Sequence, residues 1–285
     1  MKSAFLESVF NMKECVFPVE DEMYRKEMEI AENNNIDQVH IKEVIEMIKE
    51  SGKYRLFVDS MNNVDENIIY ASEGHGTGHI ERVAVFSMAI GVLQKVSDED
   101  LIVLLAASKY HDTGRVNDED EAEHGRRSAE IIKKMGIGSN LQGENQKILM
   151  AICTGHSRND KESDSIMEEY GIKDKQRCTK LLAILKDADA LDRVRLEEDR
   201  LDTSYLRTEE AKKMVLAAYE LFYSYKKILR EIEYSETNQN HKGILITTSD
   251  IAEVAQEAKT TTKYAAQKVE KIAKTKEKEE EIHGS

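Results

Sequence analysis

The chain has 285 residues, enough for two average domains or for one extended helical body. Its 40% hydrophobic content supplies a core and excludes disorder throughout, and its 34% charged content lies above the usual globular share. With 41 Lys plus Arg against 55 Asp plus Glu the formal net charge is −14. That repels phosphate backbones and anionic bilayers at long range and argues against general nucleic-acid or membrane binding, while leaving room for a local basic pocket.

The N-terminus, Met-Lys-Ser-Ala-Phe-Leu-Glu7, meets a charge before any signal-peptide core develops, and no run approaches the roughly 18 apolar residues of a membrane helix. A cytoplasmic protein is expected. Cys15, Cys153 and Cys178 are widely spaced and odd in number, so they read as reduced thiols rather than as a disulfide framework or a metal knuckle. After the single proline, Pro18, nothing of that kind interrupts a helix, and strand signals are poor.

The reading is all-α. Residues 79–96 place Val83, Phe86, Ile90 and Leu93 at spacings of three and four, the stripe of an amphipathic helix. A second helix starts at Ser97, a capping residue followed by Glu99 and Asp100, and carries Leu101, Leu104, Leu105 and Ser108 toward His111-Asp112. Further helical patterns cover about 122–135, 144–155, 175–195, 207–234 and 249–280, with breaks such as Gly136-Ile137-Gly138. Residues 243–248 could be a short extended piece. From about residue 268 the mixed charges read as a solvated tail. The expected organisation is an N-terminal helical segment (1–70), a middle section (71–200) and C-terminal helices packing on it (201–285). The helices at 207–234 and 249–280 could also pair with a second copy.

Four of the eight histidines fall in the middle section beside carboxylates: His79, His111 next to Asp112, His124, and His156, with Asp187 and Asp189 further on. Neutral imidazole and carboxylate suit iron, manganese, zinc, nickel or cobalt. A single histidine on a helix is weak evidence, but these four sit at helix ends, where they can converge while the helices supply a dry wall. His79 opens the first apolar helix with Arg82 one turn later. His111-Asp112 ends the second, where Gly114 permits a sharp exit and Arg115 returns a cation. His124 enters a third, and His156 closes a fourth. Two residues on a helix are about 200° apart, so Asp187 and Asp189 cannot both enter one site, and apolar spacing does not choose between them.

In this order, His-Ile-Glu-Arg-Val (79–83), His111-Asp112-Thr113-Gly114-Arg115 and Lys186-Asp187-Ala188-Asp189-Ala190-Leu191 resemble the HD-domain superfamily of metal-dependent phosphohydrolases, over roughly residues 74–196. The resemblance implies an HD-like helical bundle with additional N- and C-terminal helices. His124 and His156 match the extra histidines of the binuclear branch, implying two divalent ions (Mn, Fe, Ni, Co, Zn or Mg). His79, His111, Asp112 and Asp189 would hold one, and Asp112, His124 and His156 the other. The family's Ala-Asp-x-Leu pattern selects Asp189, which leaves Asp187, Asp192 and Arg193 as supporting charges. The downstream Gly-Tyr-Pro signature of cyclic-dinucleotide phosphodiesterases is missing.

The implied activity is hydrolysis of a nucleotide-type phosphoester through a hydroxide bridging the metals, with Asp112 and Arg115 as catalytic residues. Arg115 and Arg82, with Arg126 or Arg127 in reserve, would meet the phosphate. A small-molecule phosphate or nucleotide is the expected partner, with a homodimer open. The same ligand set also resembles HD-domain di-iron oxygenases, and a non-catalytic nucleotide-sensing module is a third reading. Specificity is expected from the loop Ser157–Ser165, and base stacking from tyrosines such as Tyr110, Tyr205 or Tyr219.

Overall fold

In the computed structural model, residues 9–10, 22–62, 68–70, 72, 74–119, 121–196 and 201–239 are described, and among them there is no strand. The chain begins with α1 (Glu22–Asn33), α2 (Ile41–Glu50) and α3 (Tyr54–Met61). The middle section follows as α4 (Thr77–Leu93), α5 (Asp98–Tyr110), α6 (His124–Lys134), α7 (Asn145–Gly155), α8 (Ser163–Glu169) and α9 (Lys175–Leu191). It closes with α10 (Glu209–Lys212) and α11 (Val215–Gln239). Short 3₁₀ turns lie at Asp160–Glu162, Asp192–Arg195 and Thr203–Tyr205. The expected helix at 249–280, the extended piece at 243–248, the charged tail and Cys15 lie outside the described residues.

Helix α4 is the axis of the molecule. It packs against α5 and α9, and also meets α2, α10 and α11. Every residue from Gly78 to Gly91 is consequently buried, which corrects the expectation of a one-sided stripe. A helix covered on all sides needs apolar or internally paired residues all round, and Leu93, counted in the stripe, lies past the covered stretch and is exposed. Phe86, fully buried on α4, is the kind of side chain whose truncation to alanine costs about 3–5 kcal/mol.

Helix α5 starts as its sequence indicates, with the Ser97 hydroxyl accepting from the Asp100 amide at 3.1 Å. Its C-cap is His111. Helices α6 and α7 pack on each other, and α7 also packs on α5. The expected helix at 207–234 is two pieces, because Thr208 caps a single short turn, α10, before α11 begins. Part of the expected loop 157–165 is helical: the turn at Asp160–Glu162 runs into α8, and Asp160 is ion-paired to Lys186 and Arg207.

One apolar core runs through the described residues. Ile41, Val44 and Ile48 of α2, Phe57 of α3 and Val215, Ala218 and Leu221 of α11 belong to the same packed cluster as Val83, Leu104, Ile148 and Leu185. Tyr110 and Tyr219 lie in this core, whereas Tyr205 is exposed on its 3₁₀ turn. Cys153 and Cys178 are free and buried, and burial pushes both thiols' pKa upward, which makes them poor nucleophiles. Among the described residues no helix is long and apolar enough to cross a membrane.

Candidate metal centre

The structure brings His79, His111, Asp112, His124, His156 and Asp189 together. His79 stands in the first turn of α4, His111 and His156 cap the C-termini of α5 and α7, and His124 is the first residue of α6. Gly114 is what lets α6 come so close to the His111-Asp112 turn. A Cβ there would fall 2.3 Å from the His124 carbonyl oxygen and 2.4 Å from the Ser128 amide nitrogen. The role expected for Gly114 was a sharp exit, and the role observed is close approach, since its φ is not in the left-handed region. The Ser128 hydroxyl then accepts from the Gly114 amide at 2.8 Å and bonds the carbonyls of His111 and His124.

Hydrogen bonding fixes the tautomers. The Nδ1 of His111 faces the Ser108 carbonyl at 3.0 Å, that of His156 faces the Cys153 carbonyl at 2.6 Å, and that of His124 faces the Glu121 carbonyl. A carbonyl oxygen only accepts, so each Nδ1 carries the proton and each neutral ring turns a lone pair outward at Nε2. The Nδ1 of His79 donates to Asp192 Oδ2 at 2.7 Å, with the same result.

These lone pairs face one another. His79 Nε2 is 3.1 Å from His111 Nε2, and His124 Nε2 is 2.9 Å from His156 Nε2. The carboxylate of Asp112 lies between the two pairs. Its Oδ1 is 3.1 Å and 3.5 Å from the nitrogens of His124 and His156, and its Oδ2 is 3.5 Å and 3.7 Å from those of His79 and His111. Asp189 Oδ1 completes the first group at 3.5 Å from His79 and 3.9 Å from His111. Asp112 Oδ1 is buried without a hydrogen-bond partner.

Acceptors packed this way repel unless a cation sits among them. Adjacent donors on an ion with bonds of about 2.1 Å are separated by roughly 3 Å, so the residues fit divalent metal. Burial pushes the pKa of His111 down to about 3 and so keeps its ring neutral, as a ligand must be. Burial alone would raise the Asp112 carboxyl, but the His111 ring beside it and the hydrogen bond from His75 hold it well below the usual carboxylate range.

The other expected residues divide. Asp187, the competitor of Asp189, points elsewhere: it accepts from the Arg207 amide at 2.9 Å and the Thr208 amide at 2.7 Å. Asp189 faces the cluster with its side chain 26% exposed. Arg82, expected at the phosphate, is corrected. It is buried, with Nε 2.5 Å and NH2 3.0 Å from the two oxygens of Asp192. Two carboxylate oxygens on a buried guanidinium outcompete a distant solvent-side anion. Arg115 Nε lies 2.9 Å from Asp112 Oδ2. Arg126 is paired with Glu169, and Arg127 with Glu121 and the Gly114 carbonyl. Arg193 lies on the 3₁₀ turn Asp192–Arg195.

His75 and Arg195 were not anticipated. His75 Nδ1 is 2.8 Å from Asp112 Oδ2 and 3.1 Å from an Arg195 nitrogen. Protonated there, it donates to Asp112; the other tautomer would set a lone pair against the carboxylate. The available signal was the spacing His75-x-x-x-His79, hidden in a glycine-rich stretch without apolar periodicity.

Residues 76–194 match the family model described as HD domain. This segment is an HD domain. Most members of the family are metal-dependent hydrolases, and the domain binds divalent metals, which agrees with the facing imidazoles described above. Comparison with curated proteins and with solved structures found no match. His75 lies just before the matched HD segment, and Arg195 just after it.

Proposed function

We propose that the HD centre hydrolyses a small, nucleotide-type phosphoester. The observation that carries the reading is the placement of the two Asp112 oxygens between two pairs of facing imidazole nitrogens. On this reading His79, His111, Asp112 and Asp189 hold one divalent cation and Asp112, His124 and His156 a second. When bound, the pair supplies a water of lowered pKa and a counter-charge to a phosphoryl oxygen.

The chain's own residues account for the rest. Backbone carbonyls and Asp192 keep protons at Nδ1 of the four histidines, so that every Nε2 is a donor to metal. His75 holds a proton toward Asp112 Oδ2. Arg115, paired with Asp112 and with 11% of its side chain accessible, is the cation placed to orient an incoming phosphate. It matters in a chain of net charge −14.

The test is the Asp112→Ala protein. Metal content by elemental analysis and phosphate release across a nucleotide panel should fall together, release by about 10³-fold or more. Normal hydrolysis by that variant removes the mechanism. Running the wild-type assay without oxygen separates hydrolysis, which continues, from di-iron oxygenation, which stops and leaves a mixed-valence iron signal. Tight nucleotide binding without turnover under every metal would mark a sensing module instead.

A further inference from the structure

His79 is the metal-facing histidine whose orientation depends on residues far away in the chain, and the path from it leads out of the HD segment. Asp192 Oδ2 accepts from His79 Nδ1 at 2.7 Å, and both Asp192 oxygens are held by Arg82. Arg82 NH1 is buried and has no hydrogen-bond partner. What meets the guanidinium on its remaining side is α11. Its central carbon lies 4.8 Å from the centre of the Tyr225 ring and 5.5 Å from that of Phe222. An aromatic face attracts a desolvated cation that has no further acceptor.

A second observation concerns the residue before His79. A Cβ on Gly78 would fall 2.5 Å from both Cζ and the hydroxyl of Tyr225. Tyr225 therefore rests directly on the first turn of α4, the turn that carries His79, and only the missing side chain at Gly78 admits it there. Helix α11 also packs on the 3₁₀ turn that supplies Asp192.

We propose that Tyr225, assisted by Phe222, is a positioning residue of the metal centre, acting through Arg82 and Asp192 to hold the His79 ring. The proposal rests on reading the histidine–aspartate cluster as a metal centre. It makes α11, outside the matched segment, part of that centre. With the rings in place Arg82 stays locked on Asp192, which also has an Arg195 nitrogen 3.5 Å from Oδ2, and that oxygen stays aimed at Nδ1–H. Without Tyr225, Arg82 gains room and water, and the carboxylate follows it.

The experiment compares the full-length wild type with Tyr225→Ala, Tyr225→Phe and Gly78→Ala, each checked for folding by circular dichroism. Two quantities are read: the ¹⁵N and Nδ1–H resonances of His79 in chelator-treated protein, and the affinity for manganese or cobalt by titration. Loss of a direct outer partner of a ligating histidine typically costs 10–100-fold in metal affinity. Two contacts further out, beyond Asp192 and Arg82, Tyr225→Ala and Gly78→Ala should cost about 3- to 10-fold and shift the His79 resonances. Tyr225→Phe, which keeps the ring, should restore both. A folded Tyr225→Ala or Gly78→Ala protein with either quantity at its wild-type value overturns the proposal. If the wild type takes up no metal, the hydrolase reading fails, while the His79 resonances still decide whether Tyr225 positions that ring.

Discussion

His111, His124 and His156 stand beside His79 in the centre but are aimed by different means. Each of the three donates its Nδ1 proton to the carbonyl three residues earlier, at Ser108, Glu121 and Cys153. His79 donates to Asp192, 113 residues away. The first arrangement is complete within one turn of backbone at a helix end. The second exists only when α4, the end of α9 and α11 are docked. A local device survives disturbance elsewhere, whereas a tertiary one transmits it.

Asp192→Asn gives the sharpest break of this contrast. It leaves the buried charge of Arg82 uncompensated, so stability should fall by about 3–5 kcal/mol in chemical denaturation. Metal affinity should fall by roughly 10–100-fold at the group containing His79. An equal loss at the group containing His124 and His156 would show that the locally aimed rings are no more independent. Smaller effects should follow from separating the two aspartates of α9. Asp187→Asn weakens the bonds to the amides of Arg207 and Thr208 and should cost about 1–3 kcal/mol while metal content stays at the wild-type value. Asp189→Asn should do the reverse, keeping most of the stability and losing metal.

The gentlest probe is pH. In metal-free protein the His111 pKa drops from 6.5 to about 3 through burial. Between those values the unfolded chain binds the proton that the native ring refuses, so stability should decline as pH falls below 6.5. The slope this group adds is at most about 1.4 kcal/mol per pH unit. The depressed Asp112 carboxyl acts in the same direction. Denaturation midpoints that stay flat from pH 7 to 5 would show that the ring is not shielded.

All four histidines were legible in the sequence, but only for His111, His124 and His156 does what aims the ring lie close by in the chain. His111, His124 and His156 could be placed because a helix end is marked in sequence by where the apolar spacing starts or stops near a glycine, here Gly114, Gly125 and Gly155. The choice of Asp189 over Asp187 came from a family pattern, since both positions share a helix face with leucine or isoleucine. What the sequence could not convey is pairing across long separations. Arg82 reads as a cation near a phosphate site until Asp192 is seen 110 residues later taking two of its three nitrogens. His75 was missed for a related reason. It lies in a segment with no periodicity, and its value comes from Asp112, 37 residues on.

The unbroken core has a practical consequence. Cutting the chain at residues 76 and 194, where the family match begins and stops, would leave α4 stripped of α2 and α11. The faces of α4 bared by their loss would present an apolar patch of the kind that drives aggregation. Such a fragment should enter inclusion bodies when expressed, whereas a piece retaining α2 through α11 should remain dispersed.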